Sequence, residues 1–249
     1  MRRATWVWAA MAVAVILGPV ESKPLASTLP DALTLVASHP LSVREPSDLA
    51  IDEFGKTLWT VSNHPSRVYQ LDTEGTTVRT LDILGEDLEG VAYDRSSRTL
   101  WVAEENRREI IHLDLDGKVL SRHALGLTGE RNSGLEGLCL DARGRMFALN
   151  EKRPGLFIEL DEKIQIAARR EVTFARDFSG ITYDRKRGEF WIVSDKSQEV
   201  ILWDPKRGVL KQYPLPYTKA EGVAVDDASR RLYIVSDSEQ TLYVYRLAD

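Results

Sequence analysis

Cysteine is nearly absent from this chain. Cys139 is the only one in 249 residues, so no internal disulfide can staple the fold. It lies in the apolar run Leu138-Cys139-Leu140, where a thiol acts as a small hydrophobe rather than a nucleophile. Histidine is scarce too. His39, His64, His112 and His123 occupy unrelated positions, which disfavours a zinc site. No Lys/Arg stripe exists to neutralise phosphates, and the formal net charge is −5, which argues against nucleic acid. No segment sustains a helical period, so long helices are not expected. The Gly-x-Ser-x-Gly elbow, the Walker loop, the His-Glu-x-x-His pair and the Gly-x-Gly-x-x-Gly fingerprint are all missing.

The one long apolar run is at the N-terminus. Arg2 and Arg3 precede Trp6 to Leu17, and Gly18, Pro19 and a polar stretch follow. A basic n-region, a short apolar core and small residues at Val20 and Ser22 describe a secretory signal with cleavage after Ser22. Ala4 to Val20 is also about 17 residues long, the lower limit for a bilayer span, so an uncleaved membrane anchor stays open. The expected division is 1–22 as signal peptide or anchor and 23–249 as one domain, exported to the periplasm or held on the membrane facing outward.

What fills 23–249 is a repeat. Ser47-Asp48-Leu49-Ala50-Ile51-Asp52, Glu89-Gly90-Val91-Ala92-Tyr93-Asp94, Glu136-Gly137-Leu138-Cys139-Leu140-Asp141, Ser179-Gly180-Ile181-Thr182-Tyr183-Asp184 and Glu221-Gly222-Val223-Ala224-Val225-Asp226 share one pattern. Their steps of 42, 47, 43 and 42 residues match the period of a propeller blade. A second apolar strand follows each, as in Leu58-Trp59-Thr60-Val61-Ser62 and Phe190-Trp191-Ile192-Val193-Ser194. Both strands are apolar throughout, so both of their faces must be covered, as they are between neighbouring blades. A third, alternating strand and a fourth, polar one complete each unit. The fifth unit lacks its fourth strand, whereas Ala32 to Ser38 is a spare strand near the other terminus. Pairing the two would close the ring and protect an edge. The expectation is an all-β, five-bladed propeller of four-stranded antiparallel blades closed by an N-terminal strand; the alternative is six blades.

In such a blade the first strand begins, and the second ends, at one face of the ring. Ser47, Glu89, Glu136, Ser179 and Glu221 should therefore meet Asn63, Glu105, Glu151, Asp195 and Asp237 at one mouth. Ser62, Glu104, Asn150, Ser194 and Ser236 lie just before the latter set. Hardly any cation belongs to these positions. Two carboxylates about 5 Å apart repel by roughly 3 kcal/mol at an effective dielectric near 20. A cluster of them demands a bound cation, raised pKa values or splaying into water. Oxygen-only ligands favour Ca²⁺, with Glu89, Glu136, Glu221, Glu105, Glu151, Asp195 and Asp237 as its candidate ligands. The competing role for the same residues is loop capping. The aspartates that end the first strands (Asp52, Asp94, Asp141, Asp184, Asp226) belong to the other face as turn formers. The aromatics Trp59, Trp101, Phe147, Trp191 and Tyr233 are expected to pack between blades.

The ordered phrases Asp48-Leu49-Ala50, Leu88-Glu89-Gly90, Gly134-Leu135-Glu136-Gly137-Leu138, Phe178-Ser179-Gly180-Ile181 and Ala220-Glu221-Gly222-Val223 resemble those of the SdiA-regulated (YjiK-like) family from about Ser47 to Leu247. The resemblance implies a small propeller at the bacterial envelope whose central acidic site can hold calcium. It implies no reaction. One departure is the first blade, where Ser47-Asp48-Leu49 stands in place of the family's usual Leu-Ser-Gly, which puts that blade's part in a metal site in doubt.

Three functions follow as expectations. The first is a calcium-binding interaction module, a monomer, whose partner is a small molecule or an envelope protein. The second is a calcium-dependent propeller hydrolase of a lactone or phosphoester, with Glu136 or His64 as base. The third is an interaction domain without metal.

Overall fold

The computed structural model describes residues 33–83, 85–128 and 134–248. Residues 1–22, expected as a signal peptide or anchor, lie outside them. The described residues form five separate four-stranded antiparallel sheets, and no helix among them is long and apolar enough to cross a membrane. The first blade is Pro46–Ile51, Thr57–Asn63, Ser66–Asp72 and Thr77–Asp82; the second is Leu88–Asp94, Thr99–Glu104, Glu109–Leu113 and Val119–Ala124. Leu135–Leu140, Met146–Asn150, Leu156–Leu160 and Ile166–Glu171 make the third, and Gly180–Asp184, Glu189–Ser194, Glu199–Asp204 and Gly208–Pro214 the fourth. The fifth takes Ala220–Asp226, Arg231–Ser236 and Thr241–Arg246 from the C-terminal end and Thr34–Pro40 as its outer strand. That strand runs antiparallel to the last one, from Thr34 opposite Arg246 to Pro40 opposite Thr241. The ring has five blades and is closed by the spare strand.

The apolar runs have a plain cause. Five buried clusters fill the five gaps between neighbouring blades. Side chains of a strand alternate between two of them: Leu232 and Ile234 face the fourth blade, Tyr233 and Val235 the first. Trp59, Phe147, Trp191 and Tyr233 are at most 3% exposed and pack in these gaps. Trp101 is half-buried and stacks on His112, with ring centroids 3.8 Å apart. Cys139 is buried as well, and burial pushes its thiol pKa up, away from nucleophilic use.

The aspartates ending the first strands make turns at the face opposite the mouth. Asp52 accepts from the Phe54 and Lys56 amides, Asp94 from Ser96, Asp141 from Arg143 and Arg145, Asp184 from Arg187 and Asp226 from Ala228.

At the axis the four glycines of the repeat carry the closest approach. A Cβ on Gly222 would lie 2.5 Å from the backbone of Ser47 and of Asp48, and one on Gly180 2.5 Å from the Glu221 carbonyl oxygen. The fifth position of that circle is Asp48, fully buried. Its Oδ2 accepts hydrogen bonds from the amides of Leu138 (3.0 Å) and Val91 (3.2 Å), one from each of two other blades. The first blade's departure thus places a single carboxyl group on the axis, where the other four blades leave room for it.

Candidate functional site

A register slip of one residue opens the first strand of four blades: at Pro46/Leu49, Leu88/Gly90, Leu135/Leu138 and Ala220/Gly222. Such a bulge takes one residue out of the ladder and re-aims its side chain. Glu89, Glu136 and Glu221 fall at these slips, and all three line a cavity of about 730 Å³ at the mouth of the ring. The fourth blade has no slip; there the Ser179 amide bonds the Val193 carbonyl at 3.0 Å instead.

All seven predicted carboxylates, Glu89, Glu105, Glu136, Glu151, Asp195, Glu221 and Asp237, line this one cavity, with Ser47, Asn63 and Ser179. They divide into two halves. On the side of the second and third blades, Asp87, Glu89 and Glu105 bring carboxylate oxygens within 4.8 Å of one another, and so do Glu105, Glu136 and Glu151. Glu105 is common to both triads. Glu89 accepts from Ser47 Oγ at 2.7 Å and Asn63 Nδ2 at 3.0 Å, and Glu105 from the Gly134 amide at 2.8 Å. Glu136 accepts no hydrogen bond among the described residues.

On the other side, Asp195, Glu221 and Asp237 gather around Lys219. Its Nζ is 3.3 Å from Glu221 and 4.0 Å from Asp195, its amide donates to Asp195 at 2.7 Å, and its charge also acts on Asp237. That half carries its own cation. The expectation of a mouth almost without cations is corrected here: Lys152, Lys196 and Lys219 all line the cavity. Lys152 pairs with Glu151, and Lys196 bridges Glu151 (3.2 Å) and Asp177 (3.5 Å).

Electrostatics follow the geometry. Burial pushes the Glu89 carboxyl up to about 8, with the charges of Asp87 and Glu105 adding to the rise. Glu136 is held well above the usual carboxylate range by burial and by Glu89, Glu105 and Glu221. Burial raises Glu105 as well. Asp48 below them is raised by burial, against the pull of the amides it accepts from.

One set of polar residues at the strand ends stays out of the funnel. Ser62, Glu104, Asn150, Ser194 and Ser236 do not line the cavity, because strand alternation turns them away from it. Glu104 caps the Arg107 amide at 2.6 Å, and Asn150 donates to the Lys152 and Pro154 carbonyls. His64 does line the cavity, at its rim, with its side chain 77% exposed and 3.4 Å from Glu45. Asp87 and Asp177 were not anticipated. Each lies two residues before a funnel residue of the repeat, as do Glu45 and Lys219, and that offset was the available signal.

Five blades around a carboxylate-lined funnel define a five-bladed β-propeller. The chain belongs to the SdiA-regulated family, whose profile matches residues 39–246. Among solved structures it is similar to Myxococcus xanthus glutaminyl cyclase, at 16% identity over 87% of this chain and 97% of that one, with a TM-score of 0.69. It is also similar to a gluconolactonase from Xanthomonas campestris (17%, covering 86% and 98%, TM-score 0.55). A third is virginiamycin B lyase from Staphylococcus aureus (12%, covering 82% and 66%, TM-score 0.52). At these identities the likeness is one of fold.

Proposed function

We propose that the funnel holds one calcium ion between the second and third blades, and that the protein is an exported, calcium-stabilised binding module of the bacterial envelope. The observation that carries this reading is Glu105, shared by two carboxylate triads of which one contains Glu136, a group without a hydrogen-bond donor. The donors are all oxygen and irregularly disposed, which suits calcium better than the stricter octahedron of magnesium. Glu105, Glu136, Glu89 and Asp87 would hold the ion, with Glu151 shared with Lys152 and Lys196; Asp195, Glu221 and Asp237 are served by Lys219. Export rests on the leader-like residues 1–22.

Thermal unfolding with calcium and with chelator tests the site. An ion at 100 times its Kd adds about 2.7 kcal/mol, a shift of several degrees. Glu105→Gln and Glu136→Gln should each remove that shift. A parent chain that melts identically in calcium and chelator overturns the proposal.

A second reading is a calcium-dependent hydrolase of a lactone or phosphoester. It is favoured by the size of the cavity, about 730 Å³, which suits a small substrate. A bound divalent ion polarises a carbonyl or phosphoryl oxygen. The chain's own part would be to position the substrate against Ser47, Asn63 and Lys196 and to take a proton at Glu136. Turnover of a lactone and phosphoester panel in calcium, lost in chelator and in Glu136→Gln, is the expected result. No turnover in either condition sinks it.

A further inference from the structure

The face opposite the funnel has a second large cavity, about 670 Å³, set in the cleft between the third and fourth blades. Its floor is aromatic. Phe147, Phe157 and Phe190 lie with centroids 5.1 to 5.2 Å apart, and half-buried Tyr183 continues them at 5.1 Å from Phe190. Its walls carry cations: Arg143 and Arg145 from the Asp141 turn, Arg170 from the outer strand of the third blade, and Lys206 from the turn across the cleft. Arg170 sits opposite Phe157 and its neighbour Arg169 opposite Ile158, and both line the cleft.

The carboxylates nearby are already committed. Asp141 and Glu159 both pair with Arg145, at 2.8 and 3.1 Å. Asp204 accepts the Lys206 and Arg207 amides and lies 3.5 Å from the Arg207 guanidinium. Arg170 bonds only the Pro205 carbonyl, and the Arg143 and Lys206 side chains have no partner among the described residues. Three exposed cations thus surround one concave, aromatic-floored cleft in a chain whose formal net charge is −5. At the floor, burial and the Asp141 charge push the Tyr183 hydroxyl up, and Arg145, Arg185 and Arg143 oppose them. The cleft's lining carries more cations than carboxylates, and a cleft with low-dielectric walls and an excess of one sign of charge concentrates a counter-ion. Guanidinium groups match phosphate and carboxylate oxygens, and the volume suits a small organic molecule.

We infer that this cleft binds a small amphipathic anion, an aromatic body bearing a phosphate or carboxylate, with the ring on the Tyr183–Phe190 floor and the head among Arg143, Arg170 and Lys206. The site is separate from the funnel and needs no metal.

Phenyl phosphate is the probe, titrated calorimetrically at low ionic strength with the full chain in chelator. Saturable one-to-one binding is expected, with inorganic phosphate weaker by about tenfold or more for want of the ring. The double variant Arg143→Gln, Lys206→Gln should weaken phenyl phosphate by about tenfold or more while its Tm stays that of the parent. Added calcium should leave the affinity unchanged. No saturable heat up to about 10 mM, equal affinity for inorganic phosphate, a double variant that binds like the parent, or affinity that appears only with calcium would each overturn the inference; the last would put the anion in the funnel.

Discussion

Arg230 grips Asp184 across the boundary between the fifth and fourth blades, with Nη1 3.0 Å from Oδ1 and Nη2 3.0 Å from Oδ2. Both residues are buried, and the Trp191 indole donates to the same carboxylate at 3.3 Å. Removing one member of a buried pair strands the other charge, at a cost of about 3–5 kcal/mol. Arg230→Ala should lose that much in urea unfolding. Adding Asp184→Asn should recover part of it; no recovery would mean that Arg230 acts through packing alone.

The axis should tolerate little. Gly222→Ala drives a methyl into the backbone of Ser47 and Asp48, where only a shift of the strand can relieve it. Overpacking of this kind costs about 1–3 kcal/mol. Asp48→Ala should also destabilise, because it leaves the buried Val91 and Leu138 amides unpaired at about 1–3 kcal/mol each. Asp48→Asn keeps an accepting oxygen and should be the milder change. Equal melting temperatures for Asp48→Ala and the parent would contradict this account.

The funnel predicts a pH dependence of definite sign. Glu89 goes from an ordinary 4.5 to about 8 in the folded chain, so the folded state keeps a proton that the unfolded state has lost. Its contribution is full below about pH 4.5 and is lost as pH rises to about 8; Glu136 and Glu105 are shifted in the same direction. In chelator, Tm should fall across that window. Calcium requires the ionised groups, so its stabilisation should grow with pH over the same range. A calcium shift larger at about pH 5.5 than at pH 8 would contradict the assignment.

Deleting Thr34–Pro40 should expose the Thr241–Arg246 edge. An open, apolar edge recruits another chain. Size-exclusion chromatography should show dimers or larger species, and a synthetic peptide of residues 33–41 should restore the monomer elution. A truncated chain that elutes as a stable monomer would show that the strand is dispensable.

Much of this architecture was legible because it repeats. Leu232 to Val235 reads as unbroken apolar sequence since each neighbour serves a different gap, and that pattern recurs in every blade. The convergence of Glu89, Glu136 and Glu221 followed from their equivalence. Lys152, Lys196 and Lys219 were hidden because they come from loops whose repeating phrase does not specify them, yet they put an ammonium group on each side of the funnel, Lys219 among Asp195, Glu221 and Asp237 and Lys152 and Lys196 on Glu151. Asp48 read as a missing glycine. Only the axis, where the first strands come within van der Waals distance, shows that one carboxyl group stands in the circle of glycines and accepts amides from two other blades.

Joining Thr34–Pro40 to Thr241–Arg246 also sets an order of events. A growing chain remains an open arc until its last strand has been synthesised, and the contact that turns arc into circle spans the longest sequence separation in the molecule. Glu45 and Asp237 flank that seam. The charges of Glu45 and Asp237 are therefore brought together only in the step that latches the circle.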